Sequence, residues 1–117
     1  MEDRGGLFEI LAKIEAKPGI YIGHRSVSDL FIFIAGYKTA RRELGIEPTE
    51  RELAFYRDFN EFVQNRDRVR TSNSWAKIIM LGCADEQQGF DRFFELLAEF
   101  EAQTQTEQAI PNNLIEL

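Results

Sequence analysis

A single cysteine, Cys83, and a single histidine, His24, are all the thiol and imidazole chemistry in this sequence. One thiol excludes an internal disulfide, and one thiol with one imidazole excludes a Cys/His zinc site. A di-iron site in a helical bundle needs two Glu-x-x-His motifs, which one histidine cannot supply. The segment from Asp85 to Asp91 lacks the oxygen spacing of an EF-hand loop. No metal and no cofactor are therefore expected. Long apolar runs are missing as well: the longest, Leu30 to Ala35, is far shorter than the ~20 residues that cross a bilayer. A signal peptide needs basic residues ahead of an apolar stretch, and the start carries Glu2 and Asp3 instead. These absences predict a cytoplasmic protein without a membrane partner. The 117 residues are enough for one domain, and 44 % apolar with 29 % charged residues is the composition of a chain with a real core.

Bases are scarce in one part of the chain. Residues 1–84 hold 12 acids and 13 bases, net +1, whereas residues 85–117 hold 8 acids against Arg92 alone, net −7. All of the excess negative charge is thus C-terminal. An acidic field repels nucleic acid phosphates and speeds encounter with a basic protein. Asp91, Glu95, Glu99 and Glu86 are the candidate partner-binding residues on this count. Arg66, Arg68, Arg70 and Lys77 form only a weak local basic patch, and direct nucleic acid binding is not expected.

Helix punctuation predicts about five helices. Leu7, Ile10, Leu11 and Ile14 fall on one stripe of a first helix from about Gly6 to Glu15. Pro18, Gly19 and Gly23 mark the next stretch as an extended, ordered loop with Ile20, Tyr21 and Ile22 tucked inward. Ser26 opens a second helix, with Asp29 near its positive end and Gly45 beyond its C-terminus. Because Leu30 to Ala35 is apolar on every face, this helix is expected at the centre, with a close neighbour at Gly36. Thr49 with Glu52 is a capping box for a third helix that ends near Asn65 and presents Leu53, Tyr56 and Val63 beside Phe55, Phe59 and Phe62. Ser72 or Ser74 caps a fourth, stopped by Gly82, and Asp85 with Gln88 opens a fifth. That last helix places Phe90, Phe93, Phe94, Leu97 and Phe100 at helical spacing. The polar run Gln103 to Gln108 is expected to fray, and beyond it the tail is either disordered or docked back through Ile110, Leu114, Ile115 and Leu117. The resulting expectation is an all-α, single-domain bundle over residues 1–104, followed by a tail over 105–117.

Catalysis finds few candidates, and no catalytic residue is assigned. His24 is the only imidazole able to activate a nucleophile, and nearby Ser26 is better explained as an N-cap. Cys83 lies just ahead of a helix, whose N-terminus would lower its thiol pKa. Solvent-facing carboxylate pairs such as Asp91 with Glu95 make poor general acids. Tyr21, His24 and Tyr37 are the residues with which the Pro/Gly loop would rim a small-molecule pocket.

The stretch Lys17 to Gly23 is similar to a segment of type II topoisomerase ATPases, but the Asp-x-Gly-x-Gly nucleotide loop those proteins require is missing. A second resemblance covers most of the chain. Pro18-Gly19-Ile20-Tyr21-Ile22-Gly23, Ser26 and Ser28, Leu30 to Phe33, Gly36-Tyr37, Trp75 with Ile78-Ile79, and Phe93 to Leu97 with Phe100 together resemble a group of small bacterial proteins. Some of that group resemble immunity proteins of polymorphic or contact-dependent toxin systems. The resemblance implies an α-helical, non-catalytic partner that neutralises a toxin domain. With the acidic C-terminal segment, the expectation is a protein-binding module for a basic toxin. The alternatives are a small-molecule-binding protein or minor enzyme using Tyr21 and His24, or a structural homodimer.

Overall fold

Three helix starts sit where side-chain oxygens can take up orphan backbone N–H groups. Ser26 accepts from Asp29 N–H, Thr49 from Glu52 N–H, and Ser74 from Lys77 N–H. The structure, a computed structural model, describes residues 5–109. In chain order its helices are α1 (Leu7–Ala16), α2 (Pro18–Tyr21), α3 (Val27–Glu43), α4 (Glu50–Asp67), α5 (Trp75–Leu81) and α6 (Glu86–Ala109). The protein is all-α and forms one domain, close to the expected five-helix bundle. Among the described residues no helix is long and apolar enough to cross a membrane.

The additional helix is α2. Pro18 occupies its first turn, where a fixed φ and a missing N–H carry no penalty, and Ile22 N–H closes the turn on Pro18 C=O at 2.8 Å. The expected extended loop is therefore a helical turn. Tyr21 and Ile22 pack against the core, but Ile20 stays 70 % exposed. At the other end α6 runs on through the polar stretch instead of fraying there. Thr104 Oγ1 donates to Phe100 C=O at 3.0 Å and Thr106 Oγ1 to Ala102 C=O at 2.9 Å. The expected docking of Ile110, Leu114, Ile115 and Leu117 lies outside the described residues.

Aromatic rings from three helices make the centre. Phe55 and Phe59 of α4 meet Trp75 of α5 and Phe93 of α6 within 6.4 Å, and Phe100 of α6 lies 5.5 Å from Phe59. The apolar α3 is not that centre. It buries only Val27, Leu30 and Ile34, while Ile32 is 67 % exposed. Gly36 meets nothing within 4 Å, so the expected close neighbour is absent. The tight glycine is Gly89 in α6: a Cβ there would lie 2.6 Å from Val27 Cγ1 and 2.9 Å from Met80 Sδ.

Opposite results are therefore expected from the same substitution. Gly36→Ala in an open helical position stabilises by up to about 1 kcal/mol. Gly89→Ala destabilises by about 1–3 kcal/mol through overpacking. Urea unfolding measures both. Shortening Val27 in Gly89→Ala/Val27→Ala should cost less than the two single changes added together.

Candidate functional site

The carboxylates singled out on α6 each hold a partner on the protein itself. Glu86 reaches the first turn of α3, where Ser28 N–H donates to Oε1 at 2.8 Å and Ser28 Oγ to Oε2 at 2.7 Å, with Ser26 Oγ at 3.2 Å from Oε1. Asp91 pairs with Arg25 at 2.7 Å, Glu95 with Arg92 at 3.3 Å, and Glu99 with Arg66 at 2.8 Å. Glu101 pairs with Arg51 at 2.6 Å. Three of these bases, Arg25, Arg51 and Arg66, come from the part of the chain whose charge sums to +1. Folding thus lays bases of that part against acids of the C-terminal part. Asp91, Glu95 and Glu99 remain a solvent-exposed ridge along α6, at i, i+4 and i+8.

Hydrogen bonds from Ser28 hold the Glu86 carboxyl below its ordinary value of 4.5. A depressed folded pKa gives a contribution present above the unfolded value and lost as pH falls through the folded one. Glu86→Gln should cost about 1 kcal/mol at neutral pH. The melting temperatures of the two proteins should then converge as the pH drops below 4.5, which paired melts across that range would show.

His24 and Tyr37 are held at different places along α3. His24 Nε2 lies 2.6 Å from Asp29 Oδ2, with both side chains largely exposed. Tyr37 sits roughly 15 Å beyond the start of α3 by helical rise. There its hydroxyl donates to Gly5 C=O at 3.2 Å and accepts from Arg41 at 3.1 Å, while its ring stacks on Phe33. Tyr21 is half-buried against the core. Ser26 Oγ is occupied by the α3 cap and by Glu86, so it is not a nucleophile held by His24. Burial pushes the Cys83 thiol up rather than down. Asp85 accepts from Gln88 N–H, and the Gln88 side chain returns to Ala84 N–H, one residue before Asp85. Among the described residues no group of three His, Cys, Asp or Glu side chains could hold a metal.

A surface the sequence did not single out lies between α3 and α4. Both helices pack chiefly on α5 and α6, and the 44–49 connection leaves an open cleft of about 440 Å³ between them. Ile46, Pro48, Leu53 and Tyr56 give it an apolar floor, with Lys38, Arg41, Arg42 and Arg57 on the rim. Lys38 Nζ stands 4.7 Å over the Tyr56 ring. Burial, with the nearby Glu52 charge, pushes the Tyr56 hydroxyl up to about 12, so it stays neutral. Arg57 pairs with Asp58, and Arg41 binds Gly5 C=O and Tyr37. Lys38 and Arg42 make no ion pair with the described residues. Helical spacing assigns Leu53 to the core stripe, and only the two apolar residues of the connection, Leu44 and Ile46, signal this surface in the sequence. Chemically the cleft can seat aliphatic side chains flanked by anions. Comparison with protein-family models, with curated proteins and with solved structures finds no match to this chain.

Proposed function

We propose that the chain is a non-catalytic protein-binding module, an immunity-type protein that neutralises a toxin domain by covering it. The observation that carries this reading is the α3–α4 cleft. It is an open apolar surface rimmed by Lys38, Arg41 and Arg42, none of which pairs with a carboxylate among the described residues. By contrast the imidazole of His24 is hydrogen-bonded to Asp29, and Ser26 caps a helix. Growth of cells expressing the product of the gene immediately upstream, with and without this protein, tests the reading. Toxicity relieved only in its presence, with a co-purifying complex, is the expected result. No toxicity from an expressed and folded upstream product overturns that pairing.

The exposed ridge of Asp91, Glu95 and Glu99 favours a second version, in which the toxin is basic and meets α6. Exposed ion pairs contribute about 0–1 kcal/mol, so a partner's lysines and arginines can replace Arg25, Arg92 and Arg66 with little loss. Charge steering would then make association salt-sensitive. Glu95→Lys with Glu99→Lys should weaken the complex and flatten its salt dependence. Unchanged binding removes α6 as the contact.

A further inference from the structure

We infer that the α3–α4 cleft receives an acidic amphipathic helix of a partner protein, its aliphatic side chains on Leu53, Ile46 and Tyr56 and its carboxylates on Arg42 and Lys38. The inference deepens the protein-binding reading and rests on it. Charge complementarity selects the occupant. In a chain of net charge −6, the cleft gathers four of the 14 bases around an apolar floor. Arg57 is paired with Asp58, but Lys38 and Arg42 have no carboxylate partner among the described residues. Glu52 is buried, with Oε1 taken by Thr49 N–H and Oε2 by Leu7 N–H, which leaves Glu47 among the lining residues. A basic partner segment would meet like charge at this rim, and a wholly apolar one would leave Lys38 and Arg42 desolvated without a counter-ion. The gap itself lies between two helices that pack chiefly on α5 and α6, the setting in which a third helix lays its apolar stripe into a groove. Leu53 is 42 % exposed and Ile46 42 %, so apolar surface is available to be covered.

The test uses the whole protein and a synthetic peptide of about four helical turns with leucines at i, i+4 and i+7 and glutamates on both flanks. Two controls share its length: one with the order scrambled, one with lysines replacing the glutamates. Backbone amide shifts of the isotope-labelled protein locate binding, and fluorescence anisotropy at low and high salt gives affinity. Shifts confined to the neighbourhood of Ile46, Leu53 and Tyr56 are expected, with affinity falling as salt rises. Arg42→Glu and Leu53→Ser, both at exposed positions, should each weaken binding by about tenfold or more, with unchanged melting temperatures. The scrambled and lysine peptides should bind correspondingly worse. Absence of cleft shifts, equal binding of the lysine peptide, or indifference to both substitutions overturns the inference. So does binding of anionic phospholipid vesicles through these residues when the glutamate peptide does not bind. The growth assay separates the two readings: a protein carrying Arg42→Glu with Leu53→Ser that still relieves toxicity keeps the module and overturns the cleft. Peptide binding at the cleft without any relief keeps the cleft and overturns the toxin pairing.

Discussion

Phe59→Ala will cost about 4 kcal/mol, a large part of the stability of a domain this size. Its ring is 1 % exposed and lies where three helices converge. The ring centroid is 4.8 Å from Phe55 on its own helix, 5.6 Å from Trp75 of α5, and 5.5 Å from both Phe93 and Phe100 of α6. Most of these contacts are edge-on, the arrangement in which the positive rim of one ring meets the negative face of another. Truncation loses the transfer energy of the ring and leaves a void that neighbours on three different helices cannot all close. Phe62, half-buried and touching only Phe59 and Phe100 among the rings, sits at the edge of the same cluster. Phe62→Ala should therefore cost about half as much, because its site collapses toward solvent. The single tryptophan, Trp75, reports both experiments, since its emission follows urea unfolding from inside the cluster. Equal costs for the two alanine variants would show that the packing centre is not where α4, α5 and α6 meet.

What the sequence disclosed was local. The caps at Ser26, Thr49 and Ser74 and the phenylalanine stripe of α6 depend on residues within one or two turns, and they stand where spacing places them. The failures needed information from elsewhere in the chain. Leu30 to Ala35 is apolar all round, yet Ile32 faces solvent because Phe55, Phe59, Trp75 and Phe93 already fill the middle. Pro18 suits a first helical turn as well as a loop, so its residue type alone did not choose between them. Gly36 and Gly89 both interrupt a helical pattern, and only the approach of Val27 and Met80 tells the tight one from the open one. The charge count by halves carries no information on which acids meet which bases. Arg25 finds Asp91 66 residues away, Arg51 finds Glu101 50 away, and Arg66 finds Glu99 33 away. The cleft, being the space two helices leave by packing on others, has no pattern of its own beyond the apolar 44–46 connection.

Glu52→Ala should cost about 3 kcal/mol, far more than the loss of one helix cap. Half of the reason is visible locally. Thr49 Oγ1 accepts from Glu52 N–H at 3.1 Å and Glu52 Oε1 accepts from Thr49 N–H at 2.9 Å, the reciprocal capping box of α4. The other half crosses 45 residues: Glu52 Oε2 accepts from Leu7 N–H at 2.8 Å. Leu7 begins α1, and its N-cap, Gly6, makes no side-chain hydrogen bond, so one of the orphan donors of that helix is satisfied only from α4. A carboxylate between two helix N-termini is favoured by the positive ends of both dipoles, which offsets part of the cost of burying it at 1 % exposure. Removing it strands two N–H groups and loosens the attachment of α1, whose Leu7, Phe8, Leu11 and Ile14 are core residues. Arg51, 3.9 Å over the Phe8 ring, remains as a second tie between the two helices. Glu52→Gln keeps one acceptor but turns an amide NH2 toward a backbone donor, and should cost about 2 kcal/mol. Thr49→Ala loses only the local bond, about 1 kcal/mol. Urea midpoints should therefore fall furthest for Glu52→Ala, less for Glu52→Gln and least for Thr49→Ala. Faster amide exchange in α1 is expected for the two Glu52 variants alone. If Glu52→Ala instead costs no more than Thr49→Ala, the bond to Leu7 does not hold α1 to the bundle, and the attachment of that helix rests on its buried apolar face.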